Sequence, residues 1–137
     1  MGRPSLVAQR REELLEAFYQ CVLEHGFSGA SMRKVAARAG RQTSAIHHYF
    51  TNRDEMIREL VQTYTRDLID IFQEQIQRIR DPQARLAMGL EYIFSPDMIN
   101  ARTNGFFLEC CAQARTHVAV RESLAHLFQQ FRGVIVD

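Results

Sequence analysis

The chain has 137 residues, a formal net charge of +1, 46% hydrophobic and 24% charged residues. This composition is globular rather than disordered, and the length suits one ordinary domain or two small helical units sharing a core. No apolar stretch approaches the roughly 20 residues of a membrane span, so no membrane partner is expected.

In chain order the pattern is helical throughout, because no Val/Ile/Thr-rich alternation and no Asn-Gly or Asp-Gly turn interrupts it. A first helix is predicted over about 5–25. Val7, Leu14, Leu15, Phe18, Cys21 and Val22 lie on its inner face, Arg11, Glu12, Glu13 and Glu16 mostly lie outside it, and Gly26 is its left-handed C-cap. Ser31 is placed to N-cap a short helix over about 32–39. Gly40 breaks the pattern, and another short helix follows over about 43–49.

Asn52, with Glu55 three residues later, resembles a capping box opening a long helix to about Arg80. Its inner stripe is read as Ile57, Leu60, Val61, Tyr64, Leu68, Ile71, Phe72 and Ile79. Asp81-Pro82 ends it, since proline disfavours helical geometry in the residue before it. Helices over about 83–94 and 97–115 come next, the second apolar nearly all round Phe106, Phe107, Leu108, Cys110 and Cys111 and hence expected to be buried. A last helix from about Val118 carries Val120, Leu124, Leu127, Phe128, Phe131 and Ile135 on one side and is expected to run uncapped to Asp137.

Three cysteines, two of them adjacent and none in C-x-x-C spacing, oppose a disulfide framework or a structural zinc site. The first thirty residues carry repeated charges and no apolar core of signal length, so a cytoplasmic setting is expected. No Ser-His-Asp arrangement, phosphate loop or H-E-x-x-H occurs, so no enzyme activity, cofactor or metal is expected. His47-His48 is a poor chelate, because neighbours on a helix point about 100° apart.

Charge distribution says more than net charge. Between Phe27 and Arg53 there is no acidic residue, while Arg33, Lys34, Arg38, Arg41 and Arg53 fall in that window. From Ile57 onward acids outnumber bases ten to nine. A solvated basic face is the commoner cause of such a run, but this one coincides with a second pattern. Ala36 is small where two helices must cross, Gly40 permits the positive φ of a tight turn, and Ile46 anchors the following helix inward. Val35 and Ala39 complete the inner surface. This is helix-turn-helix spacing, and it leaves Gln42, Thr43, Ser44, His47 and His48 outward on a helix that fits a major groove.

The stretch from Gly26 through Leu60, with its Tyr49-Phe50 pair followed two residues later by Arg53-Asp54, resembles the DNA-binding domain of the TetR (tetracycline repressor-like) family of bacterial transcription regulators. The likeness is strong over about the first 60 residues, and the remainder matches as an all-helical ligand-binding bundle. His47 stands where the family usually has Tyr, and Met56 where it usually has Leu. The resemblance implies that Arg33 reaches a base edge or phosphate, that Thr43, Ser44, His47 and His48 face the groove, and that Tyr49 and Arg53 clamp the DNA backbone. Ser31 and Arg41 are counted with them as DNA-binding candidates.

The expected fold is therefore all-α, a helix-turn-helix domain over 1–52 joined by a long helix to an effector-binding and dimerisation region over 53–137. Members of the family resembled are usually near 200 residues, so that second region is expected to be partial. The 137-residue chain alone is then expected to dimerise weakly and to expose Leu124, Leu127, Phe128 and Phe131. The expected function is a sequence-specific regulator, more a repressor than an activator, acting as a homodimer on a palindromic double-stranded operator and released by a small-molecule effector. An effector packing against Tyr64, Leu68 or Phe72 would act through the long helix. The alternative is a helical interaction module that keeps the helix-turn-helix as scaffold without reading DNA.

Overall fold

A computed structural model describes residues 2–136, and within that span the side chains of all residues except 101–103. Seven helices occur among the described residues: α1 (Leu6–Gly29), α2 (Met32–Arg38), α3 (Thr43–Ile46), α4 (Arg53–Ile76), α5 (Pro82–Ile93), α6 (Ala101–Gln113) and α7 (Val118–Val136). They group into two compact units, Met1–Leu60 and Val61–Asp137, so the division falls eight residues into α4, beyond the expected boundary at 52/53.

The first unit is built on α1. Ser5 caps it, its Oγ accepting from the Ala8 N–H at 3.1 Å. Leu14, Ala17, Phe18, Cys21 and Val22 are buried along one side, whereas Val7, expected to join them, is exposed. Gly26 breaks the helix as its position suggested, though not as a left-handed cap. Its φ of 70° and ψ of 171° lie in a region essentially confined to glycine, and a further helical turn follows before Ala30. That bend brings Phe27 edge-on to Phe18, with ring centroids 5.9 Å apart. Phe18, Phe27, Val35, Phe50 and Met56 form the core of this unit with next to no exposure.

In the second unit the buried positions of α4 are Val61, Thr65, Ile69, Phe72 and Ile76, and Ile71 is exposed. The expected stripe included both Ile71 and Phe72. Successive helical residues point about 100° apart, so only one can lie on a narrow seam. The helix also stops at Ile76, four residues short of the expected Arg80. Asp81-Pro82 then opens α5 as well as separating it from α4: Asp81 Oδ2 accepts from the Ala84 N–H at 2.8 Å, and Pro82 takes the first helical position.

Phe72 packs against Tyr92 of α5 and Phe131 of α7, at centroid distances of 5.5 and 4.6 Å. Gly89 lets α5 approach α7, since a Cβ there would lie 3.1 Å from Ile135 Cδ1. Two expectations fail here. The helix over 101–113 is not buried all round: Phe106 and Cys110, one turn apart, are covered, while Leu108 is 64% exposed. Nor does α7 expose the stripe expected of it. Leu124 and Leu127 are buried within the chain, and of that set Phe128 is the side chain left largely exposed. The expected run of this helix to Asp137 ends outside the described residues.

Cys21 and Cys110 are buried and Cys111 half-buried, and all three are free thiols. Burial pushes the Cys110 and Cys111 thiols above their ordinary values, which disfavours the reactive thiolate. No helix among the described residues is long and apolar enough to cross a membrane, and no group of three or more His, Cys, Asp or Glu side chains is placed to hold a metal.

Candidate nucleic-acid interface

The site is assembled from α2, the turn after it, and α3. Ser31 Oγ accepts from the Lys34 N–H at 3.2 Å, the expected N-cap of α2. The helix ends in a Schellman turn: the Arg41 N–H donates to the Ala36 carbonyl at 2.8 Å and the Gly40 N–H to the Ala37 carbonyl at 3.1 Å. Gly40 has a φ of 67°, the left-handed value such a turn requires. A Cβ at Gly40 would meet nothing within 4 Å, so substitution strains only the backbone. Gly40→Ala is therefore expected to cost about 1–2 kcal/mol, and Gly40→Asn less, as read from urea unfolding midpoints.

Ala36 is buried in α2, which packs on α3, and Ile46 is buried on the inner side of α3. The reading helix is shorter than the expected 43–49. Regular helix covers Thr43–Ile46, after which the chain turns more tightly, His48 and Tyr49 N–H groups donating to the carbonyls of Ala45 and Ile46. Such tightening is common in a last turn. Gln42, Thr43, Ser44, His47 and His48 are all exposed, Tyr49 is half-buried, and Ser31 and Arg33 are exposed at the head of α2.

The cations of the acid-free window are not equivalent. Arg38 pairs with Glu24, a hydrogen bond that raises the Arg38 pKa. Arg41 lies 3.6 Å from Glu13, and Lys34 Nζ donates to the Gly29 carbonyl at 3.2 Å. Arg33 has no ion pair among the described residues. Arg53 turns inward. Nη1 donates to the Ala30 carbonyl at 2.5 Å, Nη2 to the Phe27 carbonyl, and Cζ sits 5.4 Å from the centre of the Phe18 ring. Burial lowers its pKa from the ordinary value.

Arg11, placed outside the core face from periodicity, is a further member of the site that sequence reasoning missed. It donates to the Tyr49 carbonyl and to Glu59, and it lies over the Phe50 ring. At the start of α4, Asn52 Oδ1 accepts from the Glu55 N–H at 2.9 Å, and Glu55 reaches back to the Thr51 N–H at 2.5 Å. The box is thus shifted by one residue from its usual reciprocal form. The Thr51 N–H is the main reason the Glu55 carboxyl titrates below its ordinary value.

Two short helices crossing at a small residue, a glycine turn between them and an outward polar set on the second define a helix-turn-helix DNA-binding head. Residues 14–60 match the family described as bacterial regulatory proteins, tetR family. The HTH-type transcriptional regulator PksA of Bacillus subtilis is 41% identical over 49 residues, covering 36% of this chain and 24% of PksA. An uncharacterized HTH-type transcriptional regulator of Mycobacterium bovis is 27% identical over 133 residues, 94% of this chain and 67% of that protein. Among solved structures, a transcriptional regulator of Streptomyces coelicolor A3(2) superposes with a TM-score of 0.80 at 27% identity, covering 92% of this chain and 73% of that one. The chain thus spans between about a quarter and two-thirds of the length of these curated relatives.

Proposed function

We propose that this protein is a sequence-specific DNA-binding transcriptional regulator that reads a major groove with the outer side of α3 and of the turn that follows it. The observation that carries the reading is the exposure of Thr43, Ser44, His47 and His48 opposite the buried Ile46, inside a window with no acidic residue from Phe27 to Arg53. Hydroxyls and imidazoles there offer donors and acceptors to base edges. Ser31, Arg33, Arg41, Gln42 and Tyr49 surround that face as phosphate or base contacts. In the same reading the protein acts as a homodimer on a palindromic operator, represses transcription, and is released by a small-molecule effector bound beyond residue 60.

Selection of bound duplexes from a random pool tests this. Enrichment of a two-fold symmetric sequence, with affinity falling steeply in salt, is the expected result. Enrichment of none would favour a helical interaction module that keeps the fold as scaffold.

The division of labour within the site has its own test. Thr43→Ala and His48→Ala are expected to change which bases are preferred, at about 1–3 kcal/mol per lost base contact. Tyr49→Phe is expected to weaken all sequences alike, because phosphate contacts position rather than specify. Competition against single-base operator variants measures both. An unchanged preference in both alanine variants would remove the outer side of α3 and its following turn from the readout.

A further inference from the structure

Arg11 lies on α1, away from the outer face of α3, yet its guanidinium engages four groups around the end of the reading segment. Nη1 donates to the Tyr49 carbonyl and Nη2 to Glu59. Glu55 Oε1 lies 3.9 Å from Nη2, and Cζ stands 4.4 Å from the centre of the Phe50 ring. Tyr49 closes the tight turns that follow α3, Phe50 is the buried residue after them, and Glu55 and Glu59 lie one turn apart on α4. One planar fork therefore joins the tail of the reading segment to α1 and to the start of α4. The Tyr49 carbonyl lies in the turn that follows α3, and Arg11 supplies it with a donor.

We propose that Arg11 is a positioning residue for DNA readout, fixing the seat of α3 without itself touching DNA. The proposal rests on the DNA-reading function above. A base contact demands closer placement than a phosphate contact, so loosening the seat lowers discrimination more than total binding. Lysine keeps the charge but is a compact point charge without a fork. It is unable to bridge the carbonyl and the carboxylate while lying flat on Phe50.

The test uses the full chain with Arg11→Lys and Arg11→Ala. Its first readout is the ratio of affinities for the selected duplex and a scrambled one, measured over a salt series. Both variants are expected to lose roughly tenfold in that ratio, the equivalent of one charge-assisted hydrogen bond, with the salt slope unchanged. A slope reduced by about 0.9 in Arg11→Ala would mean a lost phosphate contact and would overturn the proposal. So would a preserved ratio in either folded variant, since a purely stabilising role lowers the melting temperature without changing what the folded protein prefers.

The second readout needs no DNA. In Arg11→Ala, amide exchange at Tyr49 and Phe50 is expected to accelerate while Phe18 and Cys21 in the middle of α1 keep their protection. Unchanged exchange at Tyr49 and Phe50 would show that Arg11 does not seat this segment. Should the unmodified chain select no duplex, the DNA-reading function fails, and the exchange result still decides whether Arg11 holds α3.

Discussion

Arg53→Met is expected to destabilise the protein by about 2–4 kcal/mol. The guanidinium of Arg53 donates to two carbonyls, Phe27 and Ala30, that flank the end of α1, and it lies over the Phe18 ring. Hydrogen bonds from a charged donor are worth about 1.5–3 kcal/mol each, and the half-exposed position of Arg53 keeps the pair below the upper sum. Methionine retains much of the stem packing and removes every donor, so the loss reports the two carbonyls. Arg53→Lys restores one bond at most, because an ammonium does not span both acceptors. Urea unfolding followed by helix signal checks the size. The same variants separate this internal tie from the phosphate clamp that the family resemblance implies for Arg53. A clamp on phosphate alone would leave the midpoint in place and reduce the salt slope of DNA binding by about 0.9.

The contrast between Ser31 or Gly40 and Arg53 or Arg11 shows where sequence reading reaches and where it stops. A cap and a positive-φ turn are settled within three or four residues, and both were legible: Ser31 accepts from Lys34, and Gly40 closes a turn on Ala37. Ala36 and Ile46 were legible because a close helix crossing needs a small residue and an aliphatic anchor at fixed spacing. The partners of Arg53 lie 23 and 26 residues away, and those of Arg11 lie 38 and 48. Nothing in local periodicity reports such pairings, and an arginine outside the apolar face of α1 reads as solvated. The rotation of α4 was missed for another reason. A run such as Leu68, Ile69, Ile71, Phe72 offers two neighbouring stripes, and the choice between them belongs to α5 and α7, through Tyr92 and Phe131.

Phe72→Ala is expected to cost about 3–5 kcal/mol, the range for removing a fully buried aromatic ring from a packed core. Phe72 has no exposed surface, Tyr92 and Phe131 pack on its ring, and a Cβ on Gly89 would lie in van der Waals contact with Phe72 Cζ at 3.5 Å. The expectation from sequence was that an effector packs against Tyr64, Leu68 or Phe72. Around Phe72 the structure holds protein side chains instead, so a ligand there must first displace one of the rings. The alanine variant creates that space. An apolar cavity of this kind stays dry and accepts a benzene-sized molecule. Benzene or indole is therefore expected to stabilise Phe72→Ala by about 1–3 kcal/mol at ten to a hundred times its dissociation constant, read as a raised urea midpoint, and to leave the unmodified chain unchanged. A gain of similar size in the unmodified chain would mean that the cluster opens to ligands by itself. The proposed effector would then have room beside Phe72. With no such gain, the proposed effector would have to use another surface of the second unit, such as the open groove of about 340 Å³ lined by Gln73, Ile76, Gln77, Ile79 and Arg85 with Gly133 and Val134.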